Sequence, residues 1–164
     1  MEIKTASNRM YALIVLYDMH TTYFYNALAG ISAEDATKRL NTKANHIAWI
    51  AGSLVQERYE IANLFGAEIQ SSSHELFKDH QGIKDEVTYP SLATYQQDWE
   101  QITPILRNYM LNATDAVLDK VLEFPGMSFP MYEMVSFDMY REANCIGQIA
   151  LWRRLLGYEG MKYM

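Results

Sequence analysis

Cysteine is almost absent from this chain. Its 164 residues include one cysteine, Cys145, so no disulfide can form within the chain. A single cysteine suits a reducing compartment, and we expect a cytoplasmic protein. A chain of this length, taken as one domain over residues 1–164, buries roughly 70% of the surface that its unfolded form exposes. A hydrophobic core can therefore hold the fold without covalent links.

Positive charge and long apolar runs are also scarce. The chain has 14 Lys and Arg against 20 Asp and Glu, a formal net charge of −6, and no basic run. That balance argues against nucleic acid as a partner, because binding a phosphate backbone needs clustered cations. The longest apolar run, near residues 10–17, is far shorter than the roughly 20 residues that span a membrane. We expect neither a membrane segment nor a signal peptide.

Proline and glycine are few, and they fall mostly at the ends of segments with helical periodicity. Apolar residues recur at gaps of three, four and seven, which predicts amphipathic helices and no convincing strand. Gly30, Gly66 and Gly157 suit helix ends, and Ser32 and Ser91 suit N-caps. Four long helices are predicted, over residues 2–29, 32–65, 91 to beyond 109, and 130–156. The second has a possible bend near residues 41–45, and the third has a kink or a loosened turn at Pro104.

The remaining segments predict connections. Residues 67–90 are polar, with three consecutive serines and little helical period, which is typical of a long crossover. A short helix is predicted near residues 115–121, and Pro125-Gly126 predicts a small hairpin or loop. Four long helices and one long crossover predict an all-α four-helix bundle.

Two stretches resemble the DinB family, part of the DinB/YfiT-like superfamily of metalloenzymes. They are residues 45–54 (NHIAWIAGSL) and residues 141–149 (REANCIGQI), and the entry to the third helix at 89–92 (YPSL) is similar too. The resemblance implies an up-down-down-up bundle with its crossover between the second and third helices. It also implies a divalent metal held by three histidines, and activities that include thiol-cofactor-dependent transferase and isomerase reactions.

The chain departs from that family at each metal position. The motifs place Ser53, Arg141 and Cys145 where the three histidines would stand. Serine is a poor ligand for Zn or Ni, and arginine is permanently charged and cannot coordinate. We therefore expect no metal and no cofactor. The alternative is Zn or Ni at a non-standard site drawing on His20, His46, Glu57 and Cys145.

Helix spacing suggests what replaces the metal. Ser53 and Glu57 share one side of the second helix, and Arg141 and Cys145 share one side of the fourth. If these two faces meet, as the resemblance implies, we expect a small polar pocket at Ser53, Arg141 and Cys145, with an ion pair between Glu57 and Arg141. The other interpretation is that these two charges face solvent. The expected neighbours of the pocket are His20, His46, Glu57 and Gln148.

The other candidate groups are His20, three more histidines and Cys145, and most of them have more than one interpretation. His20 lies on the inner stripe of the first helix, as a hydrogen-bonded interior residue or as an acid–base group. His46 makes a local hydrogen bond, lines the pocket or binds a metal, whereas His74 and His80 are expected to be solvated. Cys145 is an inert small apolar residue or a thiolate favoured by Arg141.

Three functions follow from this sequence. The preferred one is binding of a small molecule in a metal-free polar pocket. The second is a metal-dependent hydrolase or thiol-dependent transferase with a rearranged site. The third is a non-catalytic interaction protein; we expect a homodimer in any case, since a twofold contact is the commonest assembly.

Overall fold

The computed structural model of this protein describes residues 3–163, which are mostly helical with one small sheet. None of the helices in that range combines the length and apolarity needed to cross a membrane. Four helices are long and two are short, and a two-stranded antiparallel hairpin precedes the last. In chain order they are α1 (Tyr11–Leu28), α2 (Ile47–Leu64), α3 (His74–Phe77), α4 (Leu92–Asn112), α5 (Asp115–Leu118), β1 (Val121–Phe124), β2 (Met127–Pro130) and α6 (Met131–Leu155).

The first helix begins later than predicted. Residues 3–7 are not helical, and a 3-10 turn at Asn8–Met10 leads into α1; residue 2 lies outside the described residues. Two long-range contacts hold this segment extended: the Ala6 amide donates to the Leu111 carbonyl at 2.8 Å, and Ser7 Oγ donates to Asp115 at 2.5 Å. These partners are about 100 residues away, so local periodicity could not indicate them.

The predicted start of the second helix at Ser32 is wrong. Ser32 does accept a hydrogen bond from the Asp35 amide, but it caps only a 3-10 turn. Leu40 and Asn41 then adopt positive φ values of 46° and 59°, which no helix tolerates. The helix begins at Ile47, because the His46 side chain accepts from the Trp49 amide and caps it.

The remaining boundaries follow the sequence closely. Ser91 caps α4, which continues through Pro104, and Thr114 caps the short α5. The predicted hairpin is present, with Pro125-Gly126 at its turn and Gly126 at a φ of 82°. Such a φ is readily available only to glycine, so this residue closes the turn.

The four long helices share one core. α1 packs on α6 and α4, and α2 packs on α4 and α6. Phe24 of α1 stacks on Trp99 of α4 with ring centroids 4.1 Å apart, and both are fully buried. The connection between α2 and α4 folds over α2 at Gly52, where a Cβ atom would overlap the ring of Phe77 in the connection and lie 2.6 Å from the Tyr95 ring of α4. This close approach brings the connection against the face of α2 that carries Ser53.

Candidate functional site

A fully buried ion pair joins α2 to α6. The Arg58 guanidinium donates to both carboxylate oxygens of Glu142, from Nε at 2.5 Å and from Nη2 at 3.0 Å. Neither side chain has any exposed surface. The bidentate geometry suits a planar guanidinium and gives each charge a directed partner.

Aromatic rings and hydroxyls complete the surroundings of Arg58. Its guanidinium carbon lies 3.9 Å from the centroid of the Tyr17 ring and 3.4 Å from that of Trp99. Nη1 donates to the hydroxyls of Thr21 and Thr103, at 3.0 and 2.8 Å. Cation–π contacts of this kind strengthen when water is excluded. Arg58 of α2 therefore contacts residues of all three other long helices, α1, α4 and α6.

His20 belongs to the same network. Its Nδ1 atom lies 3.2 Å from Oε2 of Glu142, and the side chain is buried. Burial raises the pKa of Glu142, but the Arg58 charge and the hydrogen bonds with His20 and Arg58 outweigh burial and hold that pKa below its ordinary value. The prediction of a hydrogen-bonded interior histidine is confirmed.

Sequence reasoning missed Glu142, although a signal was present. Met139, Glu142, Ile146 and Ile149 follow one another at gaps of three and four, and all four are buried. A carboxyl group on an apolar stripe either pairs with a cation or stays protonated. That spacing could have identified Glu142 as an interior group.

A second ion pair between α2 and α6 lies nearer the protein surface. Arg141 of α6 contacts the Glu57 carboxylate of α2, and its Nη2 atom donates to Ser53 Oγ at 2.6 Å. The side chains of Arg141 and Glu57 are 24% and 15% exposed. The expected Arg141–Glu57 pair is confirmed, and the alternative that both face solvent is wrong. Burial raises the pKa of Glu57, and Arg141 offsets only part of this rise.

Cys145 sits half-buried one turn beyond Arg141. Burial raises the pKa of its thiol, and the nearby Arg141 charge lowers it by less. The thiol therefore stays protonated at neutral pH, which favours the inert interpretation over an activated thiolate.

The structure places His46 and Gln148 apart from Ser53, Glu57 and Arg141. His46 is the N-cap of α2, with its Nδ1 atom 3.1 Å from the Trp49 amide nitrogen and its ring edge-on to Tyr89. The local hydrogen bond expected for His46 is thus present. Gln148 is exposed and donates to Asn144 at 2.7 Å.

A polar cavity of about 90 Å³ opens beside the Arg141–Glu57 pair. It lies between α2, α6 and the connection that follows α2. Its lining consists of Trp49, Ser53, Gln56, Glu57, Glu60, Phe77, His80, Gln81 and Arg141. His80 is exposed, as the sequence suggests, but its position at this cavity was not predicted.

One buried donor in the cavity lining lacks an acceptor. Within residues 3–163, no acceptor meets Trp49 Nε1, whereas Arg141 Nη1 contacts the Glu57 carboxylate. Leaving a buried donor unsatisfied costs about 1–3 kcal/mol.

The residues at the positions where the DinB resemblance implies a metal do not fit a metal ion. The Arg141 guanidinium occupies the space between Ser53 and Glu57 and carries the charge that an ion would bring. In the part of the chain that the structure describes, no three His, Cys, Asp or Glu side chains are grouped as a metal would require.

Asp138 is a second interior group that sequence reasoning missed. It is fully buried on α6, and neither carboxyl oxygen has a partner among the described residues. Burial, together with the nearby carboxylates of Glu142 and Glu57, raises its pKa well above the ordinary 3.8. The folded protein therefore holds this carboxyl as the neutral acid.

Replacing Asp138 with leucine should stabilise the protein by about 1–3 kcal/mol, because an apolar side chain of similar size removes an unsatisfied buried group. The gain should widen as the pH rises above about 4. There the unfolded wild type loses this proton and the folded wild type keeps it, so wild-type stability falls with pH. Urea unfolding between pH 4 and pH 8 measures both effects.

The matched control for this experiment is Asp138→Asn. Its amide cannot ionise, so the pH dependence due to residue 138 should disappear, while the buried polar group remains. A leucine variant less stable than wild type at every pH would show that the Asp138 carboxyl has a stabilising partner.

No known family model matches this chain, and no curated protein matches it either. Any function must therefore be argued from the chain's own side chains.

Proposed function

We propose that this chain is a single-domain, cytoplasmic four-helix bundle of the DinB/YfiT-like type, with its helices running up-down-down-up. The mutual packing of α1, α2, α4 and α6 supports this proposal. So does the long connection between α2 and α4, which suits a crossover along the bundle. Ser53 and Arg141, which stand at the positions of two family ligands, are in direct contact.

We propose further that the polar cavity binds a small uncharged molecule through a hydrogen-bond acceptor. The observation that carries this proposal is the unpartnered Trp49 indole N–H, buried in the lining beside Arg141. A bound carbonyl or hydroxyl oxygen would remove the cost of leaving that donor unsatisfied.

The charges of the lining favour a neutral ligand. Arg141 is already paired with Glu57, and Glu60 adds a second carboxylate. An anionic ligand would be repelled by these carboxylates, and an ammonium ligand could not accept from Trp49. A primary amide both accepts and donates, and its few non-hydrogen atoms suit a cavity of about 90 Å³.

Nuclear magnetic resonance of the indole N–H groups tests this proposal. Trp99 and Trp152 already donate to the carbonyls of Thr21 and Asn45, at 3.3 and 2.9 Å. Titrating acetamide into 15N-labelled protein should therefore move the Trp49 indole resonance downfield and leave the other two in place. Trp49→Phe assigns the resonance.

Charged probes and a matched variant pair complete this test. Acetate and methylamine should shift the Trp49 resonance less than acetamide does. Arg141→Met should weaken the response to acetamide, whereas Gln148→Met, at an exposed position of α6, should not. A Trp49 resonance that no probe moves, or that acetate moves most, would refute the proposal.

A homodimer is a second candidate, favoured by one surface. Phe137, Tyr140, Leu151 and Leu155 lie along α6 at helical spacing and are 53–64% exposed. Exposed apolar residues of this size at helical spacing suit a self-complementary contact between two copies. Sedimentation across protein concentrations would detect such a dimer, and a constant monomer mass would exclude it.

A further inference from the structure

A large apolar cavity lies under the hairpin. Its volume is about 510 Å³, more than five times that of the polar cavity. Most of its lining is apolar, from the hairpin and the first turns of α6: Phe124, Pro125, Met127, Phe129, Met134 and Phe137. Small-molecule sites commonly have this size and character.

The apolar and polar cavities share one lining residue, His80. On α6, Phe137 of the apolar cavity lies one turn before Arg141 of the polar cavity, so the same helix face serves both. A single molecule could therefore extend from one cavity into the other.

The backbone beside His80 is strained. Asp79 and His80 have φ values of 58° and 54°, in the left-handed region that non-glycine residues seldom adopt. Such conformations are found more often at ligand sites than elsewhere. Here the strain places His80 at the boundary between the two cavities.

We propose that the ligand is amphipathic: an uncharged amide-type head in the polar cavity, and an alkyl chain or ring in the apolar cavity under the hairpin. This inference rests on the proposed function and names the ligand class for that site. The unpartnered Trp49 indole N–H determines the chemistry of the head, and the apolar lining determines that of the tail. The polar cavity alone has room only for the head.

A homologous series of amides tests this inference. Acetamide, butanamide and hexanamide are titrated separately, with the Trp49 indole resonance as the readout. Each methylene buried under the hairpin should tighten binding about fourfold, which corresponds to about 0.8 kcal/mol. Hexanamide should therefore bind about 250-fold more tightly than acetamide.

Two hairpin variants provide a matched pair. Met127 lines the apolar cavity and Val121 does not, and both are exposed, at 60% and 52%. Met127→Asp should abolish most of the gain with chain length. Val121→Asp places the same charge on the same hairpin and should leave the gain intact.

The possible failures are distinguishable. If acetamide shifts Trp49 but affinity does not rise with chain length, the amphipathic inference is overturned and the proposed function stands. If no amide shifts Trp49, both fall. If sedimentation shows a dimer that Met127→Asp dissociates, and chain length has no effect, a second copy covers the apolar cavity and the inference is again overturned.

Discussion

Replacing Glu142 with glutamine should destabilise the protein by about 3–5 kcal/mol, because it leaves the buried Arg58 charge without its partner. Arg58 cannot release its proton to escape this cost. Its hydroxyl and aromatic contacts would remain, but none of them neutralises the charge. Urea unfolding followed by circular dichroism gives the free energy of unfolding of both proteins at pH 7.

A surface pair provides the control for this result. Arg107 and Asp18 form the same bidentate contact, at 2.7 and 2.8 Å, but their side chains are 33% and 39% exposed. Asp18→Asn should therefore cost no more than about 1 kcal/mol. Equal losses in the two variants would contradict the claim that burial makes the Arg58–Glu142 pair critical.

The same pair predicts sensitivity to acid. Because the folded pKa of Glu142 lies below its ordinary value of 4.5, its contribution is present above about that pH. The contribution is lost as the pH falls through the folded value. The stability difference between wild type and Glu142→Gln should accordingly shrink in acid.

Replacing Arg141 with alanine should have the second-largest effect, a loss of about 3 kcal/mol, at the lower end of the range for buried pairs. The variant leaves the Glu57 carboxylate mostly buried and removes the hydrogen bond to Ser53. Partial exposure lets water solvate Glu57, so the loss should be smaller than for Glu142→Gln. Urea unfolding measures the difference directly.

The double variant Glu57→Gln/Arg141→Met separates the pair from simple packing. It removes both charges and keeps side chains of similar length, so it should cost much less than Arg141→Ala alone. Near-neutral single variants would show that the pair does not hold α2 to α6.

Most helix ends could be predicted from the sequence, because they depend on local chemistry. Gly30, Gly66 and Gly157 adopt positive φ values of 74°, 99° and 86° at the predicted stops. Ser91 caps α4, and Pro125-Gly126 turns the hairpin, as their residue types indicate. Each of these features depends on a few consecutive residues.

The start of α2 could not be predicted in this way. The sequence predicts that the second helix already includes residues 32–45, but contacts of their side chains hold this segment in a loop. Arg39 donates to the carbonyls of Lys43 and Ala44 and pairs with Asp85, 46 residues later. Tyr158 donates to Asp35 at 2.5 Å. Tertiary contacts of this kind override helix propensity.

Only one part of the candidate site could be predicted, the contact between a residue on one face of α2 and a residue on one face of α6. Spacing placed Glu57 and Arg141 each on one helix face, and the DinB resemblance implied that these two faces meet. Arg58 and Glu142, one position further along each helix, depend on packing from α1 and α4 as well. The position of His80 depends on an unusual backbone conformation that the sequence does not specify.

Anomalous X-ray scattering from crystals grown with Zn or Ni tests the central claim most directly. We hold that side chains alone join α2 to α6 where the DinB-like pattern would place an ion. The measurement should show no anomalous peak between Ser53, Glu57, Arg141 and Cys145, with Arg141 still against Glu57. A peak about 2.3 Å from the Cys145 sulfur, with Arg141 displaced, would contradict this claim.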